Sequence, residues 1–344
     1  MKLLQTKAGM DTSLQKYPIP ADVRGRLLQE LWRDCQPGAA PTADSMAPYL
    51  DYYAAQCQRF SRDGGIHLCV RSHAAICDIA KQIIGDATRD EICARLLRSS
   101  PSATDSDMLR ANTTVDLCAS LLLMAEVGAR AFDVSEPNPL GWPGRHSTLR
   151  QAVEQHFGGQ QKALQPDNPR LGRQFTARNL ARVGGMRIKW TRNVANHLLL
   201  SDDDQTVFVF HHVRFLRYHQ RPLFPDGFVD ETLRTLTLLL PQNDRTSQRW
   251  VAGQVVEHGL DGQLGRCGNL RAQDRRFERF AVWHDRLVIL KQAFDEASPR
   301  GLAQWWADRR NSVQWYTFWV AILVFAATLF FGLVQSIEGA IQVY

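Results

Sequence analysis

The residues whose types could carry acid–base chemistry are histidines and carboxylates in the second half of the sequence. They are His197, the acidic triplet Asp202, Asp203 and Asp204, the adjacent pair His211 and His212, and the pair His284 and Asp285. A histidine within hydrogen-bond reach of a carboxylate can act as a general acid or base. However, His211 and His212 follow the β-type run TVFVF, and neighbouring strand residues point to opposite faces. We therefore predict that these two rings do not share a site.

Motifs that would support catalysis are missing from the sequence. It contains no GxSxG, HExxH or GxxxxGK[ST] pattern. Four glycines spaced by three residues do not match GxGxxG, and we predict turns throughout this stretch, from Trp250 to Asn269. We predict no catalytic residue and no cofactor, and an enzyme with an unrecognised site is the third-ranked hypothesis.

A metal site would have to use His67, Cys69, His73 and Cys77. His73 and Cys77 lie one helical turn apart, but the spacing of the four fits no zinc motif, and thiols are common in helix cores. We therefore predict core packing and no metal. The seven cysteines include no CxxC pair, which is typical of reduced thiols in the cytosol.

The whole chain has a net charge of +6, and positive charge is concentrated between residues 170 and 192, where seven basic residues and no acidic residue occur. The candidate basic patch comprises Arg173, Arg178, Arg182, Arg187, Lys189 and Arg192. Such a cluster can bind a phosphate backbone, although a basic surface can also be exposed to solvent without binding a ligand. The surrounding pattern, with a helix from Asn193 to Leu200 and a strand from Thr206 to Val213, is reminiscent of a winged helix. We rank a nucleic-acid-binding or signalling module second, because a membrane anchor would keep the chain away from most DNA.

The elements that must position these residues belong to a mainly α fold with a mixed α/β central module. Proline and glycine near residue 136 indicate a boundary between an N-terminal helical domain (1–135) and the mixed module (136–260). An amphipathic helix from Asp274 to Glu296 and a juxtamembrane segment come next (261–312). The last parts are a transmembrane helix (313–335) and a short lumenal tail (336–344).

The transmembrane helix is predicted from twenty consecutive residues without a charge, Trp315 to Val334, which reach about 30 Å as a helix. Its leading end carries aromatic and basic residues suited to the membrane interface: Trp305, Trp306, Arg309, Arg310, Trp315 and Trp319. No Lys or Arg follows the span, so we expect the N-terminal region in the cytosol. The first residues also lack the apolar run of a signal peptide. We expect insertion as a tail anchor, with the endoplasmic reticulum or secretory pathway favoured.

Small side chains recur every four residues along this helix, at Thr328, Gly332, Ser336 and Ala340. Such a stripe lets two helices approach closely in lipid, although small residues are common in spanning helices. The stripe is therefore compatible with two alternatives, pairing of two such helices or contact with lipid alone.

Three stretches carry a resemblance: FTARNLARVGGMRIKWTRNVANHLLLSDDDQTVFVFHHVRFL, LFPDGFVDETLRTLTLLLP and the last forty residues. Together they resemble a filamentous-fungal family of unknown function with a C-terminal single-pass transmembrane segment. The resemblance covers residues 147–344 and implies a membrane anchor but no activity and no catalytic residue. It also implies acidic residues at the positions of Arg192 and Asn196, which this chain lacks.

The leading hypothesis is a tail-anchored membrane protein whose cytosolic region binds a protein partner as an interaction or scaffolding module. The expected partners are the lipid bilayer, a protein of unknown identity and a second copy of the transmembrane helix.

Overall fold

The structure of the chain is a computed structural model. It describes residues 10–16, 18–32, 41–98, 104–128, 139–158, 164–165, 169–201, 203–219, 222–297 and 312–343. The side chains of residues 62–63, 312–315 and 339–343 are outside this description. The described part of the chain is mainly helical with one small sheet, which confirms the predicted fold class.

Five α-helices lie among the described residues before residue 128, and the longest of them packs against three of the others. They are α1 (Ala21–Leu31), α2 (Ala47–Phe60), α3 (His73–Ile84), α4 (Arg89–Leu97) and α5 (Asp105–Leu123). Capping boxes start α4 at Thr88 and α5 at Thr104, where each side chain accepts from a backbone N–H three residues on. α5 packs against α2, α3 and α4, so its residues from Thr114 to Leu123 are buried.

The next segment forms the mixed module. Its elements are α6 (Leu149–Gly158), α7 (Ala177–Arg182), β1 (Arg187–Thr191), β2 (Thr206–Phe210) and α8 (Val213–Tyr218). β1 and β2 pair in parallel, which requires a crossover connection and is unlike the antiparallel wing of a winged helix.

The helix predicted from Asn193 to Leu200 is wrong. Only a 3₁₀ turn, Val194–Asn196, forms there, because the Asn193 side chain accepts from Ala195 N–H at 3.0 Å and favours a tight turn. The following residues bond to β2 instead, with Leu198 N–H donating to the carbonyl of Phe208 at 2.8 Å.

Between residues 222 and 297, which the structure describes in full, the α-helices are α9 (Phe228–Leu239), α10 (Arg245–His258) and α11 (His284–Glu296). The turns predicted from Trp250 are wrong up to His258, because the Asp244 side chain caps α10 at Thr246 and Ser247. The helix predicted from Asp274 begins ten residues later, since two 3₁₀ turns, Gln273–Arg275 and Phe277–Arg279, precede it. The apolar side chains of the predicted amphipathic helix are nevertheless buried: Phe280, Trp283, Leu287, Leu290 and Phe294.

The N-terminal helices are joined to the mixed module by direct contacts. Trp32 lies edge-on to Phe215 at 5.4 Å between ring centroids, and Val194 N–H donates to the carbonyl of Met124 at 2.8 Å. Buried apolar residues from Met10 to Phe294 belong to one core cluster. The domain boundary predicted at residue 136 lies outside the described residues and stays a prediction.

The last helix, α12 (Ser312–Val343), is the longest in the described part of the chain. It begins near the predicted start of the span and continues beyond the predicted end at residue 335. Branched and aromatic residues dominate its central part, and the hydroxyl of Thr328 donates back to the carbonyl of Val324 at 2.8 Å, so this polar group is satisfied within the helix.

Candidate functional site

The clearest candidate functional feature is a helix long and apolar enough to span a membrane. Among the described residues, α12 is the one helix long and apolar enough to cross a membrane, over Tyr316–Glu338. Those 23 residues reach about 35 Å, and their most apolar stretch is not buried within the protein. Large side chains such as Leu323 (69% exposed) and Phe325 (67% exposed) therefore stand free of the protein core.

The residues predicted to flank or pair this helix are only partly described. Trp305, Trp306, Arg309 and Arg310 lie outside the described residues, as do the side chains of Trp315 and Ala340. In the predicted stripe, Gly332 has no atom within 4 Å of the position that a Cβ would take, and the hydroxyl of Ser336 donates to the carbonyl of Gly332 at 2.8 Å. The part of the stripe at Gly332 and Ser336 is therefore accessible, and the role of the stripe in self-association stays a prediction.

The predicted basic patch is distributed over α7, β1 and a loop. Arg178 and Arg182 lie one turn apart on α7, whereas Arg187 and Lys189 share the exposed face of β1. Two of these groups already have partners: Arg187 pairs with Asp203 at 3.4 Å, and the Lys189 ammonium lies 4.9 Å from the Phe208 ring centroid.

The strand geometry predicted to point His211 and His212 to opposite faces is wrong. β2 ends at Phe210, so the pair belongs to the connection before α8 and escapes the alternation of a strand. Their ring centroids are 4.0 Å apart, and both residues are buried. Burial lowers the pKa of His211 to about 3 and that of His212 well below its ordinary value, so both rings are neutral near pH 7.

His197 lies in a buried hydrogen-bond network that joins β2, α9 and α11. The backbone N–H of Phe210 donates to its Nδ1 at 3.2 Å, which assigns the proton to Nε2, and Nε2 donates to the Thr235 hydroxyl at 2.7 Å. Burial, together with Arg286, lowers the pKa of His197 to about 3. Both ring nitrogens are thus committed to the fold.

Arg286 and Glu231 complete this network from two sides. Arg286 Nη1 donates to the carbonyls of Ala195 (2.7 Å) and His197 (2.6 Å). The Glu231 carboxylate accepts from the backbone N–H groups of Ala281 and Trp283, both at 2.8 Å. These charged groups pair with backbone atoms of neighbouring segments, so their role is to hold α11 against the module.

His73 is a further neutral buried histidine, and its ring is hydrogen-bonded to Tyr53. The Tyr53 hydroxyl and the Nδ1 of His73 share a hydrogen bond of 2.9 Å, and burial lowers the pKa of His73 to about 4. Burial also raises the pKa of Cys57 and that of Cys77 to about 12, so both thiols stay protonated. Among the described residues, no group of three or more His, Cys, Asp or Glu is placed to hold a metal ion.

Because these histidines are buried and have lowered pKa values, we expect the protein to lose stability in mild acid. An unfolded histidine titrates near 6.5, whereas folded His197 titrates at about 3, so the unfolded state binds the extra proton between these values. The free energy of unfolding should therefore fall as the pH drops below about 6.5, by up to about 1.4 kcal/mol per pH unit for each such histidine. Urea midpoints from tryptophan fluorescence of the detergent-solubilised chain, at about pH 7 and about pH 5, measure this.

The matched variants are His197→Gln and His258→Gln. Replacing the buried ring should flatten the pH dependence of the midpoint, whereas replacing the exposed His258 at the end of α10 should leave it as in the parent chain. Equal midpoints for the parent chain at both pH values would contradict the expectation.

A cleft in the folded protein also brings positively charged side chains together, and no sequence pattern predicted it. It has a volume of about 490 Å³ and lies between the loop before α7, the end of α9, the turn before α10 and the segment 270–275. Its guanidinium groups belong to Arg173, Arg271 and Arg275, and we call it the arginine cleft. Of these, only Arg173 was in the predicted basic patch, because the other two come from a distant part of the chain.

Comparisons with known proteins do not extend this description. No protein-family model, no curated protein and no solved structure matches the chain.

Proposed function

We propose that α12 anchors the protein in a membrane and that the helical body, residues 10–297, serves on the cytosolic side as a protein-interaction or scaffolding module. The observation that carries the proposal is the unburied apolar surface of Tyr316–Glu338. Exposing such a surface to water costs about 25 cal/mol per Å² of apolar area, and a bilayer removes this cost. A helix also satisfies its own backbone hydrogen bonds in lipid.

Cytosolic placement of the body rests on two features of the chain. Arg300, Arg309 and Arg310 precede the span and no Lys or Arg follows it in the sequence, which is the charge bias of a cytosolic N-terminal flank. The six described cysteines are free thiols, as expected for a reducing compartment.

A binding role is favoured over catalysis by the state of the titratable groups. His197, Glu231 and Arg286 are engaged with backbone or hydroxyl partners inside the fold. Such neutral or paired groups stabilise a scaffold and leave little capacity for proton transfer. Insertion as a tail anchor, residence in the endoplasmic reticulum, pairing through Gly332 and Ser336, and the fungal family resemblance are further parts of this proposal.

The orientation can be tested by protease protection in sealed membranes from cells that express the full chain with an N-terminal and a C-terminal epitope. We expect added protease to remove the N-terminal epitope and to leave the C-terminal epitope intact, because a helix that crosses the bilayer places its C-terminal end beyond the reach of the protease. Detergent should abolish this protection. Protection of the N-terminal epitope instead would contradict the cytosolic placement.

A further inference from the structure

The arginine cleft contains more positive charge than its protein partners neutralise. Among the described residues, no ion pair joins Arg173, Arg271 or Arg275 to a carboxylate. Arg275 is only 8% exposed, and its Nε has no hydrogen-bond partner in the structure. A buried polar group without a partner costs about 1–3 kcal/mol, and more when it is charged. Within the described residues the positive charge of this guanidinium group is therefore not neutralised by a carboxylate, and an anion in the cleft would compensate it.

Backbone hydrogen bonds hold these arginines close to one another. Leu171 N–H donates to the carbonyl of Arg275 at 2.8 Å, which fixes the loop of Arg173 beside the 3₁₀ turn Gln273–Arg275. Burial, and then the positive charges of Arg170 and Arg173, lower the pKa of Arg275. Like charges held together in this way are stabilised by an anion between them.

Asp244 is the acidic residue of the cleft, and its oxygens are already in use. It accepts from the hydroxyls of Thr246 (2.7 Å) and Ser247 (2.5 Å) and from their backbone N–H groups. Three guanidinium groups and one carboxylate leave the cleft lining with a formal charge of +2. A phosphate monoester carries about −1.5 to −2 near pH 7, so it matches this charge better than a single carboxylate does.

The remaining lining has room for more than a bare phosphate. Leu238, Pro241, Leu270 and Ala272 supply apolar surface, and a volume of about 490 Å³ lies within the range of small-molecule sites. Arginine also recognises phosphate oxygens through two parallel N–H donors, which lysine cannot do.

We propose that the arginine cleft binds a phosphate monoester attached to a small organic group. The monoester can belong to a membrane lipid headgroup, to which an anchored protein has ready access, or to a soluble metabolite. Both sources present the same chemistry to Arg173, Arg271 and Arg275. The site is independent of the anchor, because its lining comes entirely from residues 172–275.

The test uses the full chain in two settings. In detergent micelles the probe is glycerol 3-phosphate, measured by isothermal titration calorimetry, with glycerol as the probe that lacks the phosphate. In nanodiscs of phosphatidylcholine, the probe is phosphatidic acid, measured as protection of the chain against thermal unfolding. We expect saturable binding in at least one setting. The probe that binds more tightly identifies whether the monoester comes from a lipid or from a soluble metabolite.

Matched variants separate the cleft from general positive charge. Arg173→Gln and Arg271→Gln, both at exposed positions of the cleft, should each weaken binding about tenfold, the loss expected for one charge-assisted hydrogen bond. Arg182→Gln removes an exposed charge of the same basic segment outside the cleft and should leave the affinity nearly unchanged. No saturable binding in either setting, or equal losses in Arg182→Gln and Arg271→Gln, would overturn the proposal.

Discussion

Replacing Gly128 with alanine should lower the free energy of unfolding by about 2–4 kcal/mol, because the added methyl group would displace a partly buried ion pair. Gly128 has a φ of 82°, and a Cβ there would lie 2.7 Å from Cγ of Asp116. That carboxylate accepts from Arg89 Nη2 at 2.9 and 3.0 Å and from Trp142 Nε1 at 2.8 Å. Moving it would leave the guanidinium without its partner.

The effect of the clash can be separated from backbone strain with two controls. Gly227 has a similar φ of 79° and no atom within 4 Å of its Cβ position, so Gly227→Ala should cost only about 1–2 kcal/mol of left-handed strain. In an Asp116→Ala background, Gly128→Ala should add no more than this. Urea unfolding in detergent, followed by tryptophan fluorescence, measures both, and equal losses for Gly128→Ala and Gly227→Ala in the parent chain would refute the clash.

Regular apolar spacing explains which elements could be predicted from sequence. α1 and α2 show such spacing, because Val23, Leu27 and Leu31 in the first, and Tyr49, Tyr53 and Phe60 in the second, repeat at helical intervals and are buried. α10 was missed because few of its residues are buried and glycines surround it, although the cap at Asp244 was visible in the sequence. At His284 the start of α11 depends on tertiary contacts, such as the bonds to Glu231, that no local pattern encodes.

The candidate sites also differ in how far they could be predicted from the sequence. A membrane helix is a property of one continuous segment, so composition alone located Tyr316–Glu338 to within a few residues. The arginine cleft is formed by four segments that meet only in the folded chain, and local patterns do not reveal Arg271 and Arg275 as neighbours of Arg173. The close rings of His211 and His212 likewise depend on where β2 ends.

Introducing two positive charges in the middle of the predicted span should release the protein from the membrane. Phe325 and Leu329 lie one turn apart and are 67% and 53% exposed, so both would face lipid. An arginine at the centre of a spanning helix costs about 3 kcal/mol, and the apolar contribution of each replaced residue is lost as well. The double change Phe325→Arg and Leu329→Arg therefore opposes insertion by about 7 kcal/mol. The double change Phe325→Leu and Leu329→Phe keeps the helix apolar and should insert like the parent chain.

Extraction of cell membranes with alkaline carbonate, which strips peripheral proteins and leaves spanning ones, is the most direct measurement of whether α12 anchors the protein. We expect the parent chain and the Phe325→Leu, Leu329→Phe variant to stay in the membrane pellet. The Phe325→Arg, Leu329→Arg variant should move to the supernatant or remain in the cytosolic fraction. Release of the parent chain by carbonate, or retention of the doubly charged variant in the pellet, would contradict the membrane anchor.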